Sequence, residues 1–255
     1  MHDAPESPVF LDFPPPAIAL AQLDATLRAE GYAVLDAAAV RTLVGCDAQA
    51  LATLAQAWDD LPPDEYLRDG GRYRRRRHAS YVIEGDAVAK VAHRAHWQST
   101  DYNALHGGMA RWFAPVADAT EAMPVWTALL RAVAGVADRL RGAQRWHVEA
   151  HPFRIDTTDG IGRPTPEGAH RDGVDLVAVF LLGRHAIKGG ETRVFDAGGP
   201  RGQRFTLREP WSLMLLDDHR VIHESTPIQP LQAGAAGWRD TLVLTCRAGA
   251  FQGDD

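Results

Sequence analysis

The sequence contains few cysteines and no long apolar run. Its 255 residues include only two cysteines, Cys46 and Cys246, which stand far apart and form no CxxC pair. This spacing predicts neither a disulfide framework nor a thiolate metal site, and it favours a reducing, cytoplasmic location. No apolar stretch approaches the roughly 20 residues of a membrane span, and the segment MHDAPESPVFLDFPPP has no features of a secretion signal. Membrane insertion and secretion are not expected.

The chain also has no excess of positive charge and no glycine-rich nucleotide motif. Its formal net charge is −6, which would repel a phosphate backbone. Neither GxGxxG nor GxxxxGK[ST] occurs. The run Arg74–Arg77 is a local exception with two interpretations. It could be a nucleic-acid patch. It could also be an edge strand, on which one of Arg72, Arg74 and Arg76 faces a pocket while Arg75 and Arg77 point away. The overall charge favours the second alternative and predicts no nucleic-acid partner.

Helical spacing dominates the first quarter of the chain. Apolar residues recur at helical intervals before Gly31, which we expect to end a first helix, and again over Ala37–Leu61, where Pro62 and Pro63 follow. A further helical pattern near residues 112–141 is interrupted at Pro124. These patterns predict a helical layer over residues 1–70 and one inserted helix.

From Trp146 onward the pattern changes to short β-rich runs between Gly, Pro and Asp clusters, which is typical of an antiparallel sandwich or barrel. Helices first and strands afterwards predict a mainly β, α+β fold and not alternating βαβ units. Since all-β cores of this size often form one unit, we expect a single domain over 1–255 with its β core at 71–250.

A His-x-Asp pair precedes one of these strands. His170 and Asp172 are two residues apart, so both side chains point to one face at a strand start. The pair alone is weak evidence, because a chain with 11 histidines contains about one such pair by accident, and His147-Val148-Glu149 is another. Two histidines and one carboxylate form a face that binds Fe(II) and leaves positions open for a co-substrate and dioxygen. The distal histidine would be His223, with His219 as the competitor.

A second pair of polar residues follows His223. Arg239 and Thr241 again stand two apart at the start of an apolar strand, so they share a face. A guanidinium beside a hydroxyl suits a buried carboxylate, because the planar fork and the O–H group satisfy its lone pairs. The order of His-x-Asp, His and Arg-x-Thr is the most informative signal in the sequence.

In these segments the chain resembles the bacterial 2-oxoglutarate/Fe(II) dioxygenase family that includes isoleucine 4-hydroxylase and related free amino-acid hydroxylases. The resemblance is carried by PTPEGAHRDGVD (164–175), KGGETRVFD (188–196), DDHRVIHESTPI (217–228) and WRDTLVLT (238–245). It implies a double-stranded β-helix (jelly-roll, cupin-like) fold. It also implies Fe(II) on His170, Asp172 and His223, with 2-oxoglutarate and dioxygen as co-substrates and Arg239 on the distal carboxylate of 2-oxoglutarate. Thr241 stands where the wider superfamily has serine.

The resemblance implies hydroxylation of an unactivated carbon of a free L-amino acid. Asp172 favours hydroxylation over halogenation, since related halogenases lack this carboxylate. Candidate substrate residues are Arg154, expected inside the pocket before the metal motif, Glu167 for an ammonium group, and Arg74. Two alternatives stay open. One is the same cofactor chemistry on a natural-product intermediate, by hydroxylation, desaturation or sulfoxidation. The other is a non-enzymatic β-sandwich module. The sequence does not determine an oligomeric state.

Overall fold

The computed structural model of the chain describes residues 13–254. The start of the N-terminal segment, residues 1–12, lies outside the described residues. Five α-helices and two 3-10 helices occur in the described part. The α-helices are α1 (Leu23–Glu30), α2 (Ala37–Val44), α3 (Ala48–Ala55), α4 (Asp118–Glu121) and α5 (Pro124–Arg141), and the 3-10 helices are Leu20–Gln22 and Gln56–Asp60.

The helix ends follow from local sequence. Asp36 and Asp47 cap α2 and α3, since each side chain accepts a hydrogen bond from a backbone N–H three residues on, at 2.8 and 2.7 Å. Gly31 ends α1 in a left-handed conformation, with φ at 77°, as the sequence predicts. Pro124 stands at the first position of α5, where its missing N–H costs nothing, so it begins a helix instead of interrupting one.

The described residues form thirteen strands. They are β1 (Tyr32–Leu35), β2 (Arg74–Arg76), β3 (Ala79–Glu84), β4 (Ala87–Lys90), β5 (Trp146–Asp156), β6 (Leu176–His185), β7 (Ile187–Gly189), β8 (Thr192–Asp196), β9 (Gly202–Phe205), β10 (Leu213–Asp217), β11 (Val221–Ser225), β12 (Ile228–Pro230) and β13 (Trp238–Arg247).

All paired strands are antiparallel. The main sheet has the order β1-β10-β6-β13-β5-β3-β4, with β2 also pairing to β5. A smaller sheet has the order β11-β8-β9, and β12 pairs with β7. The first quarter is therefore not purely helical, because β1 lies within it and pairs with β10 along the edge of the main sheet.

Two apolar cores separate three layers. Helices α1 to α3 and α5 pack on one face of the main sheet around fully buried residues such as Trp58 and Trp126. The opposite face packs against the smaller sheet through residues such as Val177, Val194 and Phe205. The predicted mainly β, α+β architecture with a helical layer is confirmed. No helix within residues 13–254 has both the length and the apolar character needed to cross a bilayer.

Candidate active site

His170 and His223 lie side by side at the mouth of the space between the two sheets. An isolated antiparallel bridge joins their backbones, with His170 N–H to His223 O at 3.0 Å and His223 N–H to His170 O at 2.9 Å. Their ring centroids are 4.6 Å apart. A histidine of β11 thus meets a histidine 53 positions earlier, in the loop before β6, through main-chain hydrogen bonds.

Asp172 completes the group. Its Oδ1 lies 3.6 Å from His170 Nε2 and its Oδ2 lies 3.8 Å from His223 Nε2, while His170 Nδ1 donates to the Gly168 carbonyl at 2.9 Å. That hydrogen bond fixes the tautomer and leaves the Nε2 lone pair facing Asp172. Ligand atoms of all three residues lie within 4.8 Å of one another.

The charges of this group suit a cation. Burial disfavours charge on His170, but its hydrogen bond to Asp172 and the charge of Asp172 raise its pKa to about 10. Burial would raise the pKa of Asp172, yet the two imidazoles keep it below its usual range. Burial, with the nearby His170, lowers the pKa of His223 to about 4. A buried carboxylate between two imidazoles therefore calls for a positive charge, and two nitrogen donors with one carboxylate oxygen fit a divalent transition metal.

The loop that carries Asp172 is held by Asp218. The Asp218 carboxylate accepts hydrogen bonds from the backbone N–H groups of Asp172, Gly173 and Val174 at 2.7 to 3.1 Å. Burial and the charge of Asp172 raise the pKa of Asp218 to about 7, against these three hydrogen bonds. Gly173 has φ at 77°, and a Cβ on it would lie 2.4 Å from the Tyr102 ring. This turn sets the direction of the Asp172 side chain.

Arg239 and Thr241 face the same cavity from the start of β13. Arg239 is only 4% exposed, no carboxylate of the described residues lies within ion-pair distance of it, and its Nε–H has no partner. Burial, reinforced by the charge of Arg184, lowers the pKa of Arg239 to about 10. Gly189 and Gly190 pass close by with φ of 78° and 67°. Arg239 is therefore a buried cation that needs an anion from solution.

The cavity runs from the histidine pair into the space between the sheets, with a volume of about 960 Å³ including its opening. Glu167 and Arg74 line it, and Glu167 Oε1 lies 3.5 Å from His170 Nε2. His219 does not line it; its side chain is 60% exposed and lies 3.4 Å from Asp175.

The expectation that Arg154 faces the cavity is wrong. The cavity face of β5 carries Phe153 and Ile155, so the two-residue period turns Arg154 outward. There its guanidinium pairs with Asp240 at 2.7 Å and Asp59 at 3.1 Å. The arginine does have anionic partners, but both belong to the protein.

Several cavity residues were not predicted from the sequence. Gln98 Nε2 donates to Asp172 Oδ1 at 3.3 Å, and Gln98 Oε1 accepts from Arg111 at 3.0 Å. Gln252 donates to the Asp172 carbonyl at 2.6 Å. Gln98 and Arg111 lie in the connection between β4 and α4 and Gln252 follows β13, so no strand or helix period marks them.

A second buried group adjoins the cavity and consists of His78, His96, Glu149 and His151. Glu149 accepts from His78 Nε2 at 2.9 Å and from His96 Nδ1 at 3.1 Å, and Arg76 donates to His151 Nδ1 at 2.7 Å. A guanidinium at this distance occupies one imidazole nitrogen and repels a second cation. The group is therefore a hydrogen-bonded network that fixes the cavity wall.

A two-histidine, one-carboxylate face in an antiparallel β fold, beside an unpaired buried arginine, is the arrangement of a non-haem iron oxygenase with an anionic co-substrate. The 2OG-Fe dioxygenase family model matches residues 55–245. The chain belongs to this family, whose members use Fe(II), 2-oxoglutarate and dioxygen.

Several solved structures have the same fold as this chain. The chain is 53% identical to a bsmA homolog from Methylobium petroleophilum PM1, with a TM-score of 0.89 over 94% of this chain and 97% of that one. It also resembles IDO from Bacillus thuringiensis, at 18% identity and a TM-score of 0.74 over 91% of this chain and 100% of that one. It resembles the Fe(II)/(alpha)ketoglutarate-dependent dioxygenase TqaL as well, at 19% identity and a TM-score of 0.69 over 92% of this chain and 89% of that one.

The fold is thus the jelly roll of the 2OG-Fe(II) oxygenases, as expected. No curated protein sequence matches the chain.

Proposed function

We propose that His170, Asp172 and His223 hold the Fe(II) of this dioxygenase. The observation that carries the proposal is the convergence of two imidazole Nε2 atoms on one buried carboxylate, at 3.6 and 3.8 Å. Adjacent ligands of an octahedral ion with bonds of ~2.1 Å are ~3 Å apart, so a small inward movement of these side chains on binding would suffice.

The distal carboxylate of 2-oxoglutarate is assigned to Arg239, with the Thr241 hydroxyl as a second donor. Both side chains line the cavity and are almost fully buried. The carboxylate would pair with a buried cation that makes no ion pair within residues 13–254 and that Arg184 repels, while Asp240 offsets this repulsion only in part. A planar guanidinium binds a carboxylate through two parallel hydrogen bonds, which also fixes the orientation of the co-substrate.

The substrate that we assign is a free L-amino acid, hydroxylated at an unactivated carbon. Glu167 faces the cavity with Oε2 buried and unpartnered among the described residues, as an acceptor for an ammonium group would. Arg74 also lines the cavity, and its buried Nη2 has no hydrogen-bond partner among residues 13–254. A ligand that carries both a cation and an anion satisfies both atoms, and a free amino acid is the simplest such molecule.

When bound, Fe(II) with 2-oxoglutarate and dioxygen supplies the oxidant. One oxygen atom enters the substrate C–H bond as a hydroxyl, and the other enters succinate as carbon dioxide is released. The protein residues bind and orient. The Gly168 carbonyl and Asp218 fix the directions of His170 and Asp172, and the cavity wall fixes which C–H bond faces the metal.

A succinate-release assay tests this function. The protein with Fe(II), 2-oxoglutarate and air is incubated with each of the twenty L-amino acids in turn. At least one should release succinate above the background without substrate, and the product should be heavier by one oxygen atom. The Asp172→Ala variant should release none. If none of the twenty amino acids raises succinate release above the background, the amino-acid assignment is overturned.

We also propose a cytoplasmic location and a single dioxygenase domain over residues 1–255. The location is supported by Cys46 and Cys246, neither of which forms a disulfide. Paired cysteines are usual in oxidising compartments.

A further inference from the structure

Two arginines of the cavity wall make no ion pair with any carboxylate of residues 13–254. Arg76, from β2, and Arg111, from the connection between β4 and α4, are 4% and 2% exposed. Neither has a carboxylate of residues 13–254 within ion-pair distance. Arg74, beside them on β2, differs because its Nε lies 2.6 Å from the buried Asp64 carboxylate.

Arg76 is held rigidly. Its guanidinium carbon lies 3.6 Å from the centroid of the Phe113 ring and 4.2 Å from that of Phe153, and one Nη donates to His151. Within residues 13–254 its Nε–H has no hydrogen-bond partner. Two aromatic faces and one imidazole thus orient the group while leaving donor capacity unused.

Arg111 is held on the same wall. Its guanidinium carbon lies 5.7 Å from the centroid of the same Phe113 ring, and one Nη donates to Gln98 at 3.0 Å. Its Nε–H has no partner in the described part of the chain. A backbone bridge to His96 fixes the position of Arg111 in the chain. Two oriented guanidinium groups therefore share one wall of the cavity.

Burying two like charges together is costly. Burial, with the nearby arginines, lowers the pKa of Arg111 to about 10 and that of Arg76 well below its usual range, despite the opposing charge of Asp64. Charged groups in protein interiors are normally paired. An anion that enters the cavity would remove this cost, and a carboxylate matches two guanidinium forks.

The remaining charges of the cavity determine the charge of the ligand. The wall carries four arginines and three carboxylates, and a fourth carboxylate, Asp64, is paired with an arginine. The lining groups are Arg74, Arg76, Arg111, Arg239, Glu149, Glu167 and Asp172. With neutral histidines these formal charges cancel, and Fe(II) cancels dianionic 2-oxoglutarate. A substrate that preserves this balance would be uncharged overall, with opposite charges on the parts that meet the arginines and Glu167.

We propose that Arg76 and Arg111 form a clamp for the carboxylate of the substrate, while Glu167 receives its ammonium group. This assignment rests on the proposed function and deepens it. It makes the two arginines the residues that select a zwitterionic amino acid over its amide, its amine or an uncharged metabolite. Arg74 lends its free Nη2–H at the edge of the clamp, its charge being already matched by Asp64.

The test uses Arg76→Met and Arg111→Met, with Arg75→Met as the matched control. Arg75 belongs to the same strand, but it faces away from the cavity and its side chain is 45% exposed beside Asp156. Each protein is loaded with Fe(II) and 2-oxoglutarate without oxygen, and the visible charge-transfer band is recorded. Each of the twenty L-amino acids is then titrated in, followed by the amide and the amine of those that bind.

We expect the band of the unmodified protein to shift with at least one L-amino acid and with neither its amide nor its amine. Arg76→Met and Arg111→Met should each weaken that binding on the order of 10²-fold, because a buried charge loses its partner. Arg75→Met should bind the amino acid as tightly as the unmodified protein does. The affinity of Arg76→Lys should lie between those of the unmodified protein and Arg76→Met. In turnover assays the KM for the amino acid should rise while kcat changes little.

The outcomes separate the clamp from the function. Unchanged binding in both methionine variants, or equal binding of the amide, would overturn the clamp and leave the dioxygenase intact. If no L-amino acid shifts the band, the proposal that the substrate is a free L-amino acid is overturned. Absence of the band in the unmodified protein would overturn the proposed iron site itself. An unaltered band and circular dichroism spectrum show that a variant is folded.

Discussion

Replacing Arg239 by methionine removes the one charge that we assign to 2-oxoglutarate. The side chain is 4% exposed and no carboxylate of the described residues pairs with it. Methionine keeps the length and the apolar stem, so the change is mainly the loss of a guanidinium. The bound co-substrate would then keep a carboxylate in a buried place without a cation.

Truncating one partner of a buried charge pair costs about 3–5 kcal/mol, and each ~1.4 kcal/mol is a factor of ten in a dissociation constant. We therefore expect Arg239→Met to weaken 2-oxoglutarate binding by about 10²- to 4 × 10³-fold. The assay is an anaerobic titration of the Fe(II)-loaded protein with 2-oxoglutarate, followed by the charge-transfer band. Fe(II) binding without 2-oxoglutarate should be unchanged.

Arg154→Met is the matched control, because Arg154 lies on the neighbouring strand but turns away from the cavity toward Asp240. It should leave both 2-oxoglutarate and substrate affinities unchanged. A loss below about 5-fold in Arg239→Met, the ~1 kcal/mol of an exposed ion pair, would refute a buried pairing with the co-substrate. An equal loss in Arg154→Met would mean that the effect is indirect.

Two further predictions follow. Asp218→Asn should weaken Fe(II) binding about tenfold, because an amide cannot accept all three backbone N–H groups that orient Asp172; metal titration checks this, and unaltered affinity would contradict it. Burial lowers the pKa of His96 from 6.5 to about 4 despite the opposing charge of Glu149, so its contribution to stability is complete above pH 6.5 and is lost as the pH falls toward 4. The metal-free protein should lose roughly 3 kcal/mol of unfolding free energy from this group over that range. Urea titrations at several pH values should show that the unfolding free energy of His96→Gln depends less on pH than that of the unmodified protein. An equal pH dependence in the two proteins would contradict the assignment.

The paired polar residues could be identified from the sequence because they stand close to the start of a strand. Arg239 and Thr241 begin β13, so the two-residue period places both on one face. His170 and Asp172 lie in the loop before β6, where the backbone bridge to His223 and the turn at Gly173 direct their side chains instead. The distant His223 was found from the chemistry that the pair requires. A backbone bridge brings His223 beside His170, and no local sequence pattern predicts this long-range contact.

Arg154 shows where this reasoning fails. The sequence predicts a β-rich run from Trp146, but it does not show which face of β5 carries Arg154. On β5, Val148 and Ala150 pack against the helices, and Arg154 continues that face to the end of the helical layer, where Asp59 and Asp240 lie. Only the tertiary packing supplies these two acids.

Other parts of the site are set by long-range contacts. Strand β1 follows a helix and is too short to show a pattern, and its pairing with β10 determines its conformation. Arg111 and Gln98 lie in an irregular connection without periodicity. They become cavity residues because the fold brings that connection against Asp172, to which Gln98 donates a hydrogen bond, so their positions depend on the assembled fold.

The most direct test of the proposed centre is the absorption of the protein under anaerobic conditions with Fe(II) and 2-oxoglutarate. We predict a visible charge-transfer band that needs both additions and saturates at one Fe(II) per chain. It should be absent in His170→Ala and retained in His219→Ala, which removes the exposed competing histidine. No band in the unmodified protein, or a band that survives in His170→Ala, would contradict the assignment of the metal to His170, Asp172 and His223.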